Sequence, residues 1–168
     1  LGTLAMAGPS WEKIPQPVQR KQDALVVLLD LSQSMLTQDL SPSRLQRARR
    51  KLRDLVKLRT EGTTALIAYA GDAHVVSPLT GDTRTIANLI PALSPGMMPL
   101  PGADAAAAVE LALELFHSAG HLEGQILLLT DGIRPDRRKQ ITQLLQGGNY
   151  SLSIIGVGTG EGGPIPTP

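Results

Sequence analysis

A chain of 168 residues with 16 Lys and Arg against 15 Asp and Glu carries a formal net charge of +1, so no global charge excess points to nucleic acid. It contains no cysteine, which excludes disulfides, thiolate zinc sites and cysteine nucleophiles together. Its aromatic residues are Trp11, Tyr69, Phe116 and Tyr150, too few for base-stacking platforms or aromatic carbohydrate surfaces. The length suits one domain with an aliphatic core.

Leu1–Gly8 is apolar and rich in small residues, with Pro9, Trp11, Glu12 and Lys13 directly after it. Residues 1–10 read either as the end of a transmembrane helix with Trp11 at headgroup level, or as a buried terminal strand or short helix. Residues 11–23, with Pro15 and Pro17, form a linker-like approach. Ala24–Leu29 is an apolar run without alternation, as expected of a strand buried on both faces. Ser41-Pro42 offers an N-cap and a first-turn proline for a helix to about Leu58, with Leu45, Ala48, Leu52, Leu55 and Val56 as its apolar stripe. Thr64–Ala70 is a second buried strand, and Gly71-Asp72 turns it into a short antiparallel edge strand, Ala73–Val76. Asp82 caps a helix from Thr83 to about Ile90, stopped at Pro91, and a Pro/Gly-rich loop runs from Ser94 to Gly102. Asp104–His117 is an Ala-rich helix, Gln125–Thr130 a buried strand, Asp136–Gln146 a helix capped by Asp136, and Ser151–Val157 the last strand. Strands alternating with helices at this spacing predict a three-layer α/β/α, Rossmann-like fold with a mainly parallel sheet.

Chemistry concentrates where the first strand ends. Asp30-Leu31-Ser32-Gln33-Ser34 places a carboxylate and two hydroxyls at alternate positions as the chain leaves the sheet. In an open α/β sheet that rim collects ligands. Hard oxygen donors of low total charge suit Mg²⁺ or Mn²⁺. The competing reading is an N-cap cluster. Asp131-Gly132 follows the strand ending at Thr130. Alone it reads as a turn, but if its strand neighbours the first, Asp30, Ser32, Ser34 and Asp131 form one oxygen-only divalent site.

Leu28–Met35 and Leu128–Gly132 resemble the two ends of the metal-ion-dependent adhesion site of von Willebrand factor type A domains. More narrowly, Trp11-Glu12 with Pro15-Gln16-Pro17, Ser43-Arg44-Leu45, Ala70-Gly71-Asp72-Ala73 and Pro78-Leu79-Thr80 are similar to the bacterial Bat (aerotolerance-type) membrane proteins. The resemblance implies a type A domain over residues 24–168, preceded by a transmembrane segment at the bacterial inner membrane and facing the periplasm. Such domains usually carry one more strand and a final helix, so it also implies a domain truncated at its C-terminus. It implies direct metal ligation by Ser32 and Ser34, with Asp30 and Asp131 acting largely through water. The family's middle loop supplies a threonine ligand; here Pro99–Asp104 resembles that loop and Ala103 stands in the threonine's place. A methyl group cannot ligate. A water fills the place, Asp104 reaches in, or the site binds weakly or not at all; the competing role for Asp104 is a helix N-cap.

The expected function is therefore a protein-interaction module in which a divalent ion held by the serines takes an Asp or Glu of a partner. Other Bat-type subunits, or a MoxR-type AAA+ ATPase system, are the partners the resemblance implies. A Mg²⁺-dependent phosphatase or hydrolase is the alternative from another class, with Asp30 as nucleophile. It lacks an obvious base, because His74, His117 and His121 are the only histidines and none pairs with the serines. A P-loop is absent. The helix carrying Arg44, Arg47, Arg49, Arg50, Lys51, Arg53, Lys57 and Arg59 reads first as a solvated face and second as a basic docking surface of a metal-free scaffold. No motif supports nucleic-acid binding.

Overall fold

A computed structural model describes residues 23–158. The expectations for residues 1–22, and for the chain after Gly158, lie outside the described residues. The elements are β1 (Ala24–Asp30), α1 (Arg44–Leu58), β2 (Thr63–Tyr69), β3 (Ala73–Thr80), α2 (Thr83–Leu89), α3 (Ala105–Ser118), β4 (Glu123–Thr130), α4 (Pro135–Leu145) and β5 (Asn149–Gly156), with short 3-10 turns at Gln33–Leu36, Ile90–Ala92 and Pro95–Met97.

The sheet has five strands in the order β3-β2-β1-β4-β5. β1 runs parallel to both neighbours, and only β3 is antiparallel, on β2's outer side. All seven residues of β1 are buried, because helices cover both of its faces. Alternation assigns them: Leu25, Val27 and Leu29 pack with Leu45, Ala48, Leu52 and Val56 of α1 and with Ile86 of α2. Ala24, Val26 and Leu28 face Ala105, Ala108, Val109 and Ala112 of α3 and Ile141 of α4. Each fully buried aliphatic side chain contributes about 1.5–3 kcal/mol, so this central strand anchors both layers. The alanines of α3 let that helix lie close to the sheet. At its far end Phe116 fills the space over Gly124, where an added Cβ would stand 2.4 Å from the ring, and stacks on Tyr150 at 5.1 Å between centroids.

Three boundaries differ from the sequence reading. α1 starts at Arg44 with Ser43 as its N-cap, the hydroxyl accepting from the Gln46 N–H at 3.2 Å; Ser41 and Pro42 lie before the helix. Two serines two residues apart compete for the cap, and the one whose oxygen reaches the third following N–H takes it. α4 has Pro135 as its first residue, so Asp136 lies in the first turn and is not the cap. β3 continues to Thr80 through Pro78, twice the predicted length. As an edge strand with register shifts against β2 it tolerates the missing N–H.

The strand order creates a switch point. From β1 the chain moves through α1 to β2 on one side and returns to β4 on the other, so the helices following β1 and β4 lie on opposite faces. The crevice between the C-terminal ends of β1 and β4 opens there. The packing argument predicts that Gly124→Ala forces Phe116 aside and lowers stability by roughly 1–3 kcal/mol; urea unfolding of the variant and the parent measures it.

Candidate metal centre

Asp30 ends β1 at that crevice. Its register partner on β2 is Tyr69, and Leu29 lies level with Leu129 on β4, which sets Thr130 and Asp131 beside it. The Asp30 side chain has no solvent exposure. The Ser32 N–H donates to Oδ1 at 2.8 Å, and the Thr130 hydroxyl donates to Oδ2 at 2.6 Å. Thr130 Oγ1 also accepts from the Gly132 N–H at 3.1 Å, so one threonine shapes the turn carrying Asp131 and orients Asp30. Burial raises the Asp30 pKa above the ordinary carboxylate value; the bonds from Thr130 and Ser32 pull it down and the nearby Asp131 charge pushes it up. Beneath it, the buried Tyr69 hydroxyl is pushed well above its usual range, first by burial and then by the Asp30 charge.

A 3-10 turn at Gln33–Leu36 curls the chain so that the Ser32 and Ser34 hydroxyls stand 3.0 Å apart. Adjacent ligands of an octahedral Mg²⁺ at 2.0–2.1 Å are separated by about 2.9 Å, so the hydroxyl pair has the spacing of one edge of such a shell. With two carboxylates close behind and no competing nitrogen or sulfur donor, the set fits a hard divalent ion. Among the described residues no three His, Asp or Glu side chains form a ligand group; this site depends on hydroxyls.

The middle loop comes in by its backbone. The Gly71 N–H donates to Leu100 O at 2.9 Å and the Asp104 N–H to Ala70 O at 2.6 Å. A Cβ on Gly71 would stand 2.3 Å from Pro101 O, and one on Gly102 2.9 Å from the Gly71 Cα, so two glycines meet where the loop crosses β2's end. Asp104 caps α3, with Oδ1 accepting from the Ala107 N–H at 3.1 Å and 3.3 Å from Arg137 Nε. Its carboxylate therefore has the cap role. Met97 and Leu100 of this loop are 56% and 51% exposed, an apolar rim.

Reading the sequence alone missed Thr130, Tyr69 and the ion pairs of Arg44. The last is a correction. Arg44, Arg49 and Arg59 do not belong to the solvated face of α1. The Arg44 side chain is 12% exposed and binds Asp39 at 2.9 Å and Asp131 at 2.8 Å. Arg49 is half-buried, its pKa lowered by desolvation, and donates to Leu93 O. Arg59 bonds Thr64 and Asp23.

A profile of the von Willebrand factor type A domain matches residues 25–133. The chain belongs to this family. Among solved structures, an aerotolerance-related membrane protein of Bacteroides fragilis superposes with a TM-score of 0.75 at 29% identity, over 86% of this chain and 72% of that one. The conserved hypothetical protein BatB of Bacteroides thetaiotaomicron gives a TM-score of 0.73 at 30% identity, over 86% and 71%. An uncharacterized protein of Borreliella burgdorferi is 29% identical over 163 residues, 94% of this chain and 47% of that protein. The chain thus spans about half the length of that curated relative, and only 24% of a UPF0353 protein of Mycobacterium sp. strain KMS, 41% identical over 86 residues. Among the described residues no helix is long and apolar enough to cross a membrane.

Because its pKa is raised, Asp30 favours the protonated folded state. Its contribution is fully present below the unfolded value of 3.8 and is lost as pH rises through the folded value. An asparagine keeps the bond from the Ser32 N–H and donates to Thr130 Oγ1, whose proton turns to Gly132 O. In metal-free buffer Asp30→Asn is expected to melt at or above the parent's temperature at neutral pH and to flatten the fall in stability above pH 4; calorimetric melts across pH measure both.

Proposed function

We propose that this type A domain is a protein-interaction module that takes an acidic side chain of a partner through Mg²⁺ or Mn²⁺ held at Ser32 and Ser34. The observation that carries the reading is the hydroxyl pair 3.0 Å apart, backed by the buried Asp30 and by Asp131 at the sheet's switch point. When bound, the ion supplies an open, positively charged coordination position that a carboxylate completes. Ser32 and Ser34 hold it, and Asp30 and Asp131 balance its charge from behind. Thr130 and the Ser32 N–H keep Asp30 from turning away. Ala103 offers no donor, so affinity is lower than a full ligand set would give. Met97 and Leu100 lie on the loop beside the site and suit a partner whose acidic residue is flanked by apolar ones.

Hydrolysis is the weaker reading. A nucleophilic Asp30 needs access to substrate, whereas this carboxylate has no exposure and both its oxygens accept hydrogen bonds. A metal-free scaffold docking acidic partners through α1 draws support from Arg47, Arg50, Lys51, Arg53 and Lys57, all exposed with Asp54 the one acidic neighbour on the helix. Membrane anchorage with the domain in the periplasm, and association with Bat-type subunits or a MoxR-type AAA+ ATPase, extend the proposal; the Bacteroides fragilis relative's description as an aerotolerance-related membrane protein supports the anchorage alone.

Titration calorimetry with Mg²⁺ and Mn²⁺ tests the site. The parent should bind saturably, Ser32→Ala/Ser34→Ala should not, and Ala103→Thr should bind more tightly by on the order of tenfold, the worth of one added ligand interaction of about 1.4 kcal/mol. Silence in the parent and in Ala103→Thr alike would overturn the metal reading.

A further inference from the structure

The position of Arg44 needs a physical reason. It is the first residue of α1, where a cation opposes the helix dipole at a cost of about 0.3–1 kcal/mol. Its guanidinium lies fork-on-fork against Asp39, Nε to Oδ1 and Nη2 to Oδ2, both at 2.9 Å. That leaves Nη1 aimed at Asp131 Oδ2, 2.8 Å away. Side-chain exposures of 12% for Arg44, 3% for Asp39 and 10% for Asp131 leave these charges little screened by solvent. The backbone after β5 closes over the group: a Cβ on Gly158 would stand 3.0 Å from Arg44 Nε. The guanidinium is thus fixed on one side by Asp39 and hemmed on another by Gly158, with its remaining edge on a carboxylate of the candidate metal site.

We propose that Arg44 is a resident cation of this site, competing with the divalent ion for Asp131 and thereby setting how tightly the ion is held. The inference rests on the metal reading above and assigns its regulation. Of the two carboxylates behind the serines, Asp30 is satisfied by hydrogen-bond donors, and Asp131 is already paired with the positive charge of Arg44. An arriving divalent ion must share Asp131 with the guanidinium, at the expense of like-charge repulsion, or displace it from a pocket where it has little room to retreat. Either course weakens binding. Arg44 and Ala103 act in the same direction, one occupying an anionic partner and the other withholding a donor. The domain therefore keeps a closed ion pair at low divalent concentration, and fills only when concentration, or a partner's carboxylate completing the shell, outweighs it.

The test is Mn²⁺ binding followed by electron paramagnetic resonance and calorimetry, with thermal melts confirming that each variant folds. Arg44→Gln should tighten Mn²⁺ binding on the order of tenfold, and Arg44→Lys, which keeps the charge, should stay within a few-fold of the parent. Because Arg44→Gln takes the guanidinium's two bonds away from Asp39, the double variant Arg44→Gln/Asp39→Asn removes both charges of that pair together while freeing Asp131. Tighter binding in either folded variant supports the proposal. Unchanged or weaker binding in the folded variants, with the parent still binding, overturns it and makes Arg44 a group that orients Asp131. Absence of binding in every protein, Ala103→Thr included, overturns the metal reading itself.

Discussion

A carboxylate with no exposure to solvent, at the end of the central strand, is the constraint on which the rest of the molecule's rim depends. Burying Asp30 is costly, and the surrounding chain is organised to contain that cost. The strand must end so that the Leu31 N–H still pairs with Tyr69 O and the N–H after it, that of Ser32, turns back to Oδ1. The neighbouring strand must end on a hydroxyl that reaches Oδ2, and Thr130 does so. Those two demands fix the 3-10 turn that brings Ser34 beside Ser32, and the turn that presents Asp131. Geometry at the serines is thus a by-product of satisfying a charge beneath them.

The sheet supplies the other half of the arrangement. Only because β1 lies between β2 and β4, all parallel, do Asp30 and Asp131 meet at one crevice. A one-place exchange in strand order would put another strand between them and set them a further strand spacing of about 4.8 Å apart. The meeting of these two residues is therefore a property of topology as much as of motif, in keeping with the family to which the chain belongs.

Much of this was legible in the sequence, for identifiable reasons. Apolar runs such as Ala24–Leu29 and the stripe Leu45, Ala48, Leu52, Val56 report burial directly, so the elements and the layer order could be read. The Asp-x-Ser-x-Ser spacing and Asp131 are local patterns at strand ends, and the switch point explains why they matter. What stayed hidden depends on contacts across the chain. Arg44 to Asp131 spans 87 residues, and on a helix with six other cations nothing local marks the one that turns inward. Thr130 reads as a strand residue until its hydroxyl is seen against Asp30. Competing helix starts, a cap at Ser41 or Ser43 for α1 and at Asp136 or the residue before Pro135 for α4, differ by geometry finer than composition resolves.

The crossing of Gly71 and Gly102 divides the middle loop's duties in two. Its position relative to β2 is set by main-chain bonds from Gly71 to Leu100 and from Asp104 to Ala70, and by the absence of side chains at the point of contact. The Leu100 side chain also rests against Gly71, whereas that of Met97 is exposed and is not among the atoms at the crossing. Met97 can be exchanged for a residue of other size, polarity or charge while the main-chain crossing behind it stays where it is. A lineage could therefore rewrite the outward character of this loop without rebuilding its seat on the sheet.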